Sequence, residues 1–384
     1  VSGAMFGHYT CGRWTAVLPR LIESRAMRMQ AVVTDGRGGL AVEGVELGDP
    51  GPGEVQVDLR ASGVCHTDDK FAHRGLVQVL GHEGAGVVRA VGPGVSRVSP
   101  GDRVLLTWAI ACGACFQCRR GGETICENPP RVPDDRRRRG SAPIPAAFGL
   151  GTMATATVVP EAAVVKIDVP IPFASAALLG CGVQTGVGSV LNVAKVRTGE
   201  SVVVLGTGGV GLSVIQGARI AGAGMIVGVD LHPARLDMAR AFGATHVVRA
   251  EREDAGLRRA AALVRAMTVR GADYAFECTS VPALSAAPLS FVRNGGTAVQ
   301  LSGTEQPVTV DMELFEWDKT YINPLYGKCR PQVDFPRLLG FYRDGLLKLD
   351  EMVTRTYPID RVREAFDDML AGRNAKGVLL MGND

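Results

Sequence analysis

The chain has 384 residues, of which 46% are hydrophobic and 21% charged, and its 42 basic and 39 acidic residues leave a formal net charge of +3. A balance this even gives no basis for a nucleic-acid partner. No apolar stretch reaches the roughly 18 residues that a membrane-spanning helix needs, and the N-terminal segment has no apolar core of the signal-peptide type. We therefore expect a cytoplasmic protein with neither a nucleic-acid nor a membrane partner.

The first 26 residues carry scattered Gly, Trp and Arg without hydrophobic periodicity. They predict a disordered N-terminal extension outside the main fold, and a helix over residues 18–27 is the alternative. The first regular element is a predicted strand over residues 27–33.

From residue 31 to about residue 107, short apolar runs are separated by Gly and Pro. Residues 54–59 alternate between polar and apolar with a period of two, and residues 86–91 form a second apolar-rich run. Pro-Gly sequences at residues 50–53 and 92–94 are typical of turns. This part of the chain is predicted to be all-β, as a small barrel or sandwich.

Two cysteines stand far apart in the chain, Cys65 in Cys-His-Thr-Asp and Cys181 between two glycines. Between them lies Gly81-His82-Glu83. Two thiolates and one imidazole, brought together from distant segments, leave the fourth position of a zinc ion open, which is the pattern of a catalytic site.

Four other cysteines follow one another within fifteen residues, spaced C-x2-C-x2-C-x7-C. Four thiolates close a tetrahedron around zinc and predict a structural site. A disulfide scaffold is the alternative, and an odd total of nine cysteines in a chain of this length argues against it. The quartet consists of Cys112, Cys115, Cys118 and Cys126. The remaining Cys11, Cys278 and Cys329 are predicted to be small buried residues.

A loop rich in proline is predicted after the quartet. It contains four consecutive arginines, residues 136–139, directly after two aspartates. Such a run could contact phosphate, but a short charged run beside acidic residues is more typical of a solvated loop, which is our prediction.

From about residue 185 the pattern changes to strands that alternate with helices, which is typical of a parallel sheet with crossover helices. The apolar run of residues 201–205 predicts a strand buried on both faces. The further strands are predicted at residues 225–230, 246–248 and 377–381. The helices are predicted at residues 210–221, 233–242, 334–344 and 359–371.

A glycine-rich sequence, G-x-G-x-x-G, follows the buried strand and opens the next helix. In this context it predicts a dinucleotide site, with the pyrophosphate at the helix N-terminus. Asp230 ends the following strand, where a carboxylate binds the adenosine ribose hydroxyls and repels a 2′-phosphate, so NAD is favoured over NADP. The residues assigned to the phosphate site are Gly206, Gly208, Gly209, Val210 and Gly211.

Together these motifs occur in the order and at the approximate spacings of the zinc-containing medium-chain alcohol dehydrogenases, which the chain resembles from about Met29 to Met381. The resemblance implies a GroES-like β-barrel catalytic domain and a Rossmann domain with a doubly wound parallel sheet, an α/β and β fold. The implied catalytic domain covers residues 27–182 and 326–384, with the structural-zinc lobe at about 109–128. The implied Rossmann domain covers residues 183–325.

The resemblance also implies roles for single residues. Cys65, His82 and Cys181 would hold a catalytic zinc, with Glu83 as an occasional or indirect ligand and Asp68 supporting His82. The implied contacts to NAD are those of His66 and Lys376 with the pyrophosphate, Thr185 with the nicotinamide and Arg235 with the adenosine ribose.

The implied reaction is hydride transfer between a zinc-bound alcohol and nicotinamide C4, with Thr67 accepting the alcohol proton. The outer end of this proton relay is a histidine in many family members and matches Lys70 here, and a lysine is a poorer proton shuttle at neutral pH. Substrate contacts from residues 71–80 are not carried over from the family, and His73 is predicted to lie at the surface.

The expected activity is a zinc-dependent NAD alcohol dehydrogenase or aldehyde reductase with two zinc ions per chain and a small alcohol or aldehyde as substrate. The alternatives are a mycothiol-type dehydrogenase of a formaldehyde–thiol adduct and a nicotinoprotein that retains its NAD. A zinc-free quinone or enoyl reductase of the same fold is disfavoured by the predicted ligands. The long loop after the quartet resembles that of dimeric members of the family, which implies a homodimer rather than a tetramer.

Overall fold

The computed structural model describes residues 26–382. The predicted extension therefore lies outside the described residues, except for residue 26, and so does Cys11. Of the alternative helix over residues 18–27, only the last two positions are described. Of these, residue 26 is irregular and Met27 begins the first strand.

Eighteen strands form three sheets in the described residues. The first ten are β1 Met27–Thr34, β2 Leu40–Leu47, β3 Glu54–Gly63, β4 Gln78–Val79, β5 Gly84–Val91, β6 Arg103–Leu106, β7 Arg137–Arg139, β8 Ala142–Pro143, β9 Ala156–Pro160 and β10 Val164–Lys166. The other eight are β11 Ser201–Leu205, β12 Met225–Asp230, β13 His246–Arg249, β14 Ala272–Glu277, β15 Val292–Gln300, β16 Thr320–Ile322, β17 Val353–Pro358 and β18 Lys376–Leu380.

Ten α-helices connect these strands. They are α1 His66–Ala72, α2 Phe116–Arg119, α3 Phe173–Ala177, α4 Gly182–Gly188, α5 Gly209–Ile220, α6 Pro233–Phe242, α7 Arg258–Thr268, α8 Pro288–Phe291, α9 Pro331–Arg343 and α10 Val362–Leu370. A π-helical segment, Ser189–Ala194, continues α4.

The first two sheets build the β-rich part of the molecule. One has the order β4-β1-β2-β7-β8, and the other has the order β10-β6-β5-β3-β18-β17, with β9 pairing on β3. Strand β18 lies antiparallel to β3. The end of the chain is therefore built into the sheet that begins near residue 54.

The third sheet is parallel and has the order β13-β12-β11-β14-β15-β16. This is the strand order of a Rossmann sheet, with β11 as its first strand. Strands β11 and β12 are largely apolar, as expected for strands that helices cover on both faces, and Val202, Val203 and Val204 are fully buried. The prediction of a GroES-like β part and a doubly wound Rossmann part is confirmed.

Several predicted elements agree with the structure at both ends. The strands predicted at residues 201–205 and 225–230 are β11 and β12, and the helix predicted at residues 233–242 is α6. Helix α6 begins with proline at its first position and ends before Gly243, which has a φ of 119°. These are the residue types preferred at the two ends of a helix.

The prediction of a solvated arginine loop is wrong for its central residues. Arg137–Arg139 form β7, and the Arg137 side chain is buried, where it donates to Thr157 Oγ1 at 2.9 Å and to the Val158 carbonyl at 2.6 Å. Arg139 forms two hydrogen bonds with Glu43, both at 2.7 Å. Arg137 thus bonds to β9 of the second sheet and Arg139 to β2 of its own sheet, so both have structural partners.

Among residues 26–382, no single helix is both long and apolar enough to cross a membrane. One pair of segments reaches that length together, Phe173–Gly180 and Gly182–Ala194, with a bend of 56° between them.

Candidate zinc and dinucleotide sites

Four potential metal ligands converge from three distant segments. Cys65 precedes the first turn of α1, His82 and Glu83 lie between β4 and β5, and Cys181 precedes α4. One ligand atom from each of the four lies within 4.8 Å of the others. His82 and Glu83 are buried, whereas Cys65 and Cys181 are partly exposed, so the cluster is accessible from the side of its thiols.

The buried His82 ring is oriented by an aspartate. Its Nδ1 lies 3.0 Å from Asp68 Oδ1, and the same oxygen accepts from the Gly81 N–H at 3.2 Å. Its Nε2 is buried with no hydrogen-bond partner among the described residues. A proton on Nδ1 leaves a lone pair on Nε2 directed at the cluster, which is the arrangement of a histidine that binds a metal.

The two thiols of the cluster affect each other. The hydrogen bond from Cys181 lowers the pKa of Cys65 well below its usual value, and the same contact raises the pKa of Cys181 well above it. Burial alone would lower the pKa of His82, but the Asp68 carboxylate outweighs it and the pKa lies well above its usual value. A thiolate beside an imidazole that gives up its Nε2 proton when a metal binds is a donor set that fits zinc.

Glu83 is paired with the buried Lys376. The Lys376 ammonium lies 2.7 Å from Glu83 Oε2 and donates to Oε1 at 2.8 Å and to the Val64 carbonyl at 3.1 Å. Burial raises the pKa of Glu83 to about 7 although Lys376 acts in the opposite direction. Glu83 therefore lies in the ligand cluster, and its nearest charged partner is this ammonium.

Helix α1 carries the predicted relay. His66 is exposed at its first position and Thr67 is partly buried. Lys70 Nζ donates to the Gly303 carbonyl at 2.7 Å, and Arg74, just beyond α1, forms an ion pair with Glu305 at 2.9 Å. Lys70 thus contacts the loop after β15. His73 lies at the surface as predicted, since 57% of its side chain is exposed.

The cysteine quartet also converges. Its four sulfur atoms lie within 4.8 Å of one another, with Cys115 Sγ 3.9 Å from Cys126 Sγ. Backbone N–H groups point at the sulfurs, from Cys112 to Cys126 at 3.3 Å and from Cys118 to Cys115 at 3.4 Å. Such groups lower the pKa of Cys115 to about 6, while burial raises that of Cys118 to about 12. The set offers four sulfur donors, which fits a closed zinc site.

The glycine-rich sequence forms the loop between β11 and α5. A Cβ on Gly208, which precedes the helix, would meet nothing within 4 Å, so its backbone faces open space where a phosphate could approach. A Cβ on Gly211 would overlap the Gly206 carbonyl, so the close approach of the helix to the loop requires glycine at the last position of the motif. The first turn of α5 offers its unpaired N–H groups in the same place.

Asp230 ends β12 and is bound to the glycine-rich loop. Its Oδ2 accepts from the Thr207 backbone N–H at 2.8 Å, and its Oδ1 accepts from the His232 N–H at 3.0 Å. The Arg235 guanidinium lies 3.9 Å from Oδ2. Thr185 is on α4, one turn after Cys181, and its N–H donates to the Cys181 carbonyl at 2.9 Å.

Aromatic side chains beside the ligand cluster were not identified from the sequence. The Phe148 ring lies 5.0 Å from the His82 ring, 4.9 Å from Phe71 and 5.2 Å from Trp108, measured between centroids. Trp108 stacks on Tyr326 at 4.1 Å. Glycines at residues 149 and 151 were the only local signal near Phe148, and no motif marked Tyr326.

Comparison with known proteins agrees with this geometry. Residues 51–169 match the alcohol dehydrogenase GroES-like domain family, and residues 209–342 match the zinc-binding dehydrogenase family. An S-(hydroxymethyl)glutathione dehydrogenase of Paracoccus denitrificans is 35% identical over 361 residues, covering 89% of this chain and 96% of the relative. The chain belongs to the zinc-containing medium-chain alcohol dehydrogenase family.

Two further relatives extend the comparison. An NDMA-dependent alcohol dehydrogenase of Amycolatopsis methanolica is 36% identical over 364 residues, covering 89% of this chain and 96% of the relative. The crystal structure of a benzyl alcohol dehydrogenase from Acinetobacter calcoaceticus superimposes with a TM-score of 0.85 at 28% identity, covering 93% of this chain and all of that one. The enzyme is thus an oxidoreductase of the zinc-dependent alcohol dehydrogenase class, which acts on small alcohols or aldehydes and uses zinc and NAD.

Proposed function

We propose that the enzyme oxidises an alcohol to an aldehyde or ketone, or catalyses the reverse, at the cluster formed by Cys65, His82 and Cys181. The observation that carries the proposal is the convergence of these donors within 4.8 Å around a buried His82 Nε2 that has no partner among the described residues. The same donors argue against a zinc-free quinone or enoyl reductase.

The residues of the cluster have separate tasks. When bound, zinc supplies a Lewis acid for the alcohol oxygen and NAD supplies a hydride acceptor at nicotinamide C4. Asp68 keeps the proton of His82 on Nδ1. Thr67 takes the hydroxyl proton and passes it towards solvent. Glu83 is an indirect support of the cluster, because its carboxylate is engaged by Lys376.

NAD is proposed to bind along the carboxyl edge of the parallel sheet, with its pyrophosphate at the glycine-rich loop. Support comes from the open space beside Gly208 and from Asp230 at the end of the neighbouring strand. The exposed His66 is proposed to contact the pyrophosphate, Thr185 the nicotinamide and Arg235 the adenosine ribose. Lys376 reaches this site through its aliphatic part, because a Cβ on Gly209 would lie 2.9 Å from its Cδ.

Two zinc ions per chain are proposed, one at the catalytic cluster and one at the quartet. Metal analysis should find about two zinc per chain in the wild type and about one in Cys181→Ala and in Cys118→Ala. Cys181→Ala should lose alcohol oxidation, measured as NADH formation. Cys329→Ala removes a buried cysteine from the core and is the matched control, with both zinc ions retained. Loss of only one zinc ion from the double variant Cys181→Ala/Cys118→Ala would overturn the two-site assignment.

Two narrower activities remain candidates, because one relative is named S-(hydroxymethyl)glutathione dehydrogenase and another is named NDMA-dependent alcohol dehydrogenase. For a thiol-adduct dehydrogenase, NADH formation from formaldehyde should depend on the added thiol. For a nicotinoprotein, NAD should stay with the purified enzyme until denaturation, and turnover should need an external acceptor. Equal rates of NADH formation with and without the thiol, together with freely exchanging NAD, would exclude both narrower activities. The remaining activity would be that of an ordinary alcohol dehydrogenase.

The domain division and the assembly are also proposals. The parallel sheet lies within residues 201–322, whereas β17 and β18 join the sheet of β3, which supports a catalytic domain of residues 27–182 and 326–384 around a Rossmann domain of residues 183–325. A homodimer is supported by β16, which ends the parallel sheet with one strand neighbour among the described residues. Light scattering separates a dimer from a tetramer. Cytoplasmic location is supported by the absence of disulfides among the described cysteines and is tested by cell fractionation.

A further inference from the structure

Four aromatic rings form a continuous group beside the catalytic cluster, and each is tied to a segment that carries a predicted zinc ligand. Phe71 shares α1 with Thr67, directly after Cys65. Phe148 lies against the His82 ring. The group, called here the aromatic wall, consists of Phe71, Trp108, Phe148 and Tyr326.

The other two rings are tied to Cys181. The Tyr326 hydroxyl donates to the Gly180 carbonyl, immediately before that cysteine. Gly180 packs on the strand that leads to Trp108, since a Cβ on it would lie 3.1 Å from the Leu106 carbonyl. The positions of these rings and of the ligands are therefore fixed together.

Two of the rings are held by unfavourable backbone conformations. Phe148 has a φ of 53° and Tyr326 a φ of 54°, in the left-handed region that bulky residues rarely adopt. Such conformations persist where the surrounding structure enforces them, and they are concentrated at functional sites. Here both conformations direct an aromatic ring to the same group beside the cluster.

Three of the four rings of the aromatic wall are not fully buried in the hydrophobic core. Phe71, Trp108 and Phe148 are each partly exposed, and the buried Tyr326 stacks on Trp108. The outer face of Phe71 is covered by the Arg74 guanidinium, 4.5 Å from the ring centroid, which is itself paired with Glu305. Three rings that are not fully covered thus form a group that reaches the cluster through the contact of Phe148 with the His82 ring.

From this geometry we propose that the aromatic wall makes the enzyme selective for alcohols whose hydroxyl-bearing carbon is attached to an aromatic ring, with Trp108 as the main specificity-determining residue. This inference rests on the proposed dehydrogenase function. Aromatic rings pair in tilted or offset arrangements with centroids 4.5–7 Å apart, and such pairs add stability beyond that of apolar burial. A saturated ring of the same size gains the free energy of apolar burial but cannot form an aromatic pair with the wall.

The test compares benzyl alcohol with cyclohexylmethanol, which have the same number of carbon atoms, and includes ethanol. We expect kcat/KM with NAD to be about tenfold higher for benzyl alcohol than for cyclohexylmethanol, as one or two aromatic contacts predict. Trp108→Leu should reduce this ratio to below about threefold while ethanol oxidation continues, and Trp108→Phe should retain most of it. Trp317→Leu alters a tryptophan that is 69% exposed and should leave the ratio unchanged.

The possible failures are distinguishable. Oxidation of ethanol and of both ring alcohols with equal kcat/KM would overturn the aromatic inference and leave the dehydrogenase function intact. If no alcohol were oxidised by the zinc-loaded enzyme, the proposed function would fail, and calorimetric titration would still decide the inference. Tighter binding of benzyl alcohol than of cyclohexylmethanol, lost in Trp108→Leu, would support the wall, and equal binding would overturn it.

Discussion

Replacing Lys376 with methionine should destabilise the fold at a pH above the Glu83 pKa of about 7, because the buried Glu83 carboxyl then either keeps a charge without a partner or takes up a proton from a solution poor in protons. Glu83 is fully buried, and the Lys376 ammonium lies 2.7 Å from its Oε2. At an effective dielectric constant of about 20, this separation corresponds to an attraction of about 6 kcal/mol. Taking both charges out of water costs several kcal/mol for each ion, so the intact pair contributes little net stability.

The single variant loses the attraction and keeps much of the desolvation cost. We expect Lys376→Met to lower the free energy of unfolding by about 3–5 kcal/mol, the range observed when one partner of a buried pair is removed. The double variant Glu83→Gln/Lys376→Met removes both charges and should recover most of that loss. Urea unfolding of zinc-loaded enzyme without NAD, followed by circular dichroism, measures the difference through the midpoint and the slope.

A surface ion pair provides the matched control. Lys166 lies 2.6 Å from Asp102, but 55% of its side chain is exposed. Lys166→Met should therefore change the free energy of unfolding by less than about 1 kcal/mol. The reasoning would be refuted if Lys376→Met had no larger effect than Lys166→Met, or if the double variant were as unstable as the single one.

Three further predictions concern the metal, the cofactor and pH. Asp68→Asn should weaken zinc binding at the catalytic cluster about 10–100-fold, measured by competition with a chelator, because His82 loses the carboxylate that orients it. Asp230→Ser should shift the ratio of kcat/KM values towards NADP, because the carboxylate that repels a 2′-phosphate is removed. Hydrogen bonds from Tyr357 and Arg373 lower the pKa of Asp368, so its stabilisation is present above the usual aspartate pKa and is lost as pH falls through the lowered value. Acid unfolding of Asp368→Asn should accordingly depend less steeply on pH.

Neighbouring residues serve as controls for two of these predictions. Asp69→Asn alters a carboxylate that is 31% exposed and should leave zinc affinity unchanged. Asp367→Asn alters an exposed neighbour of Asp368 and should retain the acid dependence of the wild type. An unchanged preference between NAD and NADP in Asp230→Ser would contradict the assignment of Asp230 to the adenosine ribose. Equal zinc affinities of Asp68→Asn and Asp69→Asn would contradict the role of Asp68 in orienting His82.

Three of the six strands of the parallel sheet, β11, β12 and β13, could be predicted from the sequence because their signals are local. An apolar run of five residues predicts β11, and a proline and a glycine at the two ends of a helix delimit α6. The two groups of side chains that converge in the structure could be singled out because their residue types and spacings are restrictive. Each of these patterns can be recognised without knowing what lies against it in the fold.

The remaining features depend on contacts between distant segments. Arg137 is buried because Thr157 and the Val158 carbonyl accept its N–H groups, and a run of arginines gives no sign of those partners. Phe148 and Tyr326 join the aromatic wall through left-handed backbone conformations. Bulky residues rarely adopt such conformations, so the sequence does not predict them at these positions. Lys70 matched a relay position by spacing, whereas its ammonium contacts a loop more than two hundred residues away.

The position of Lys376 determines when the active site can form. The lysine is in β18, the last strand among residues 26–382, yet it pairs with Glu83, which precedes it by almost three hundred residues, and β18 lies beside β3. A chain still being synthesised can form the parallel sheet and the zinc lobe first, since domains fold as units during translation. A centre that depends on this ion pair therefore cannot form before β18 has left the ribosome, even where the parallel sheet has already folded.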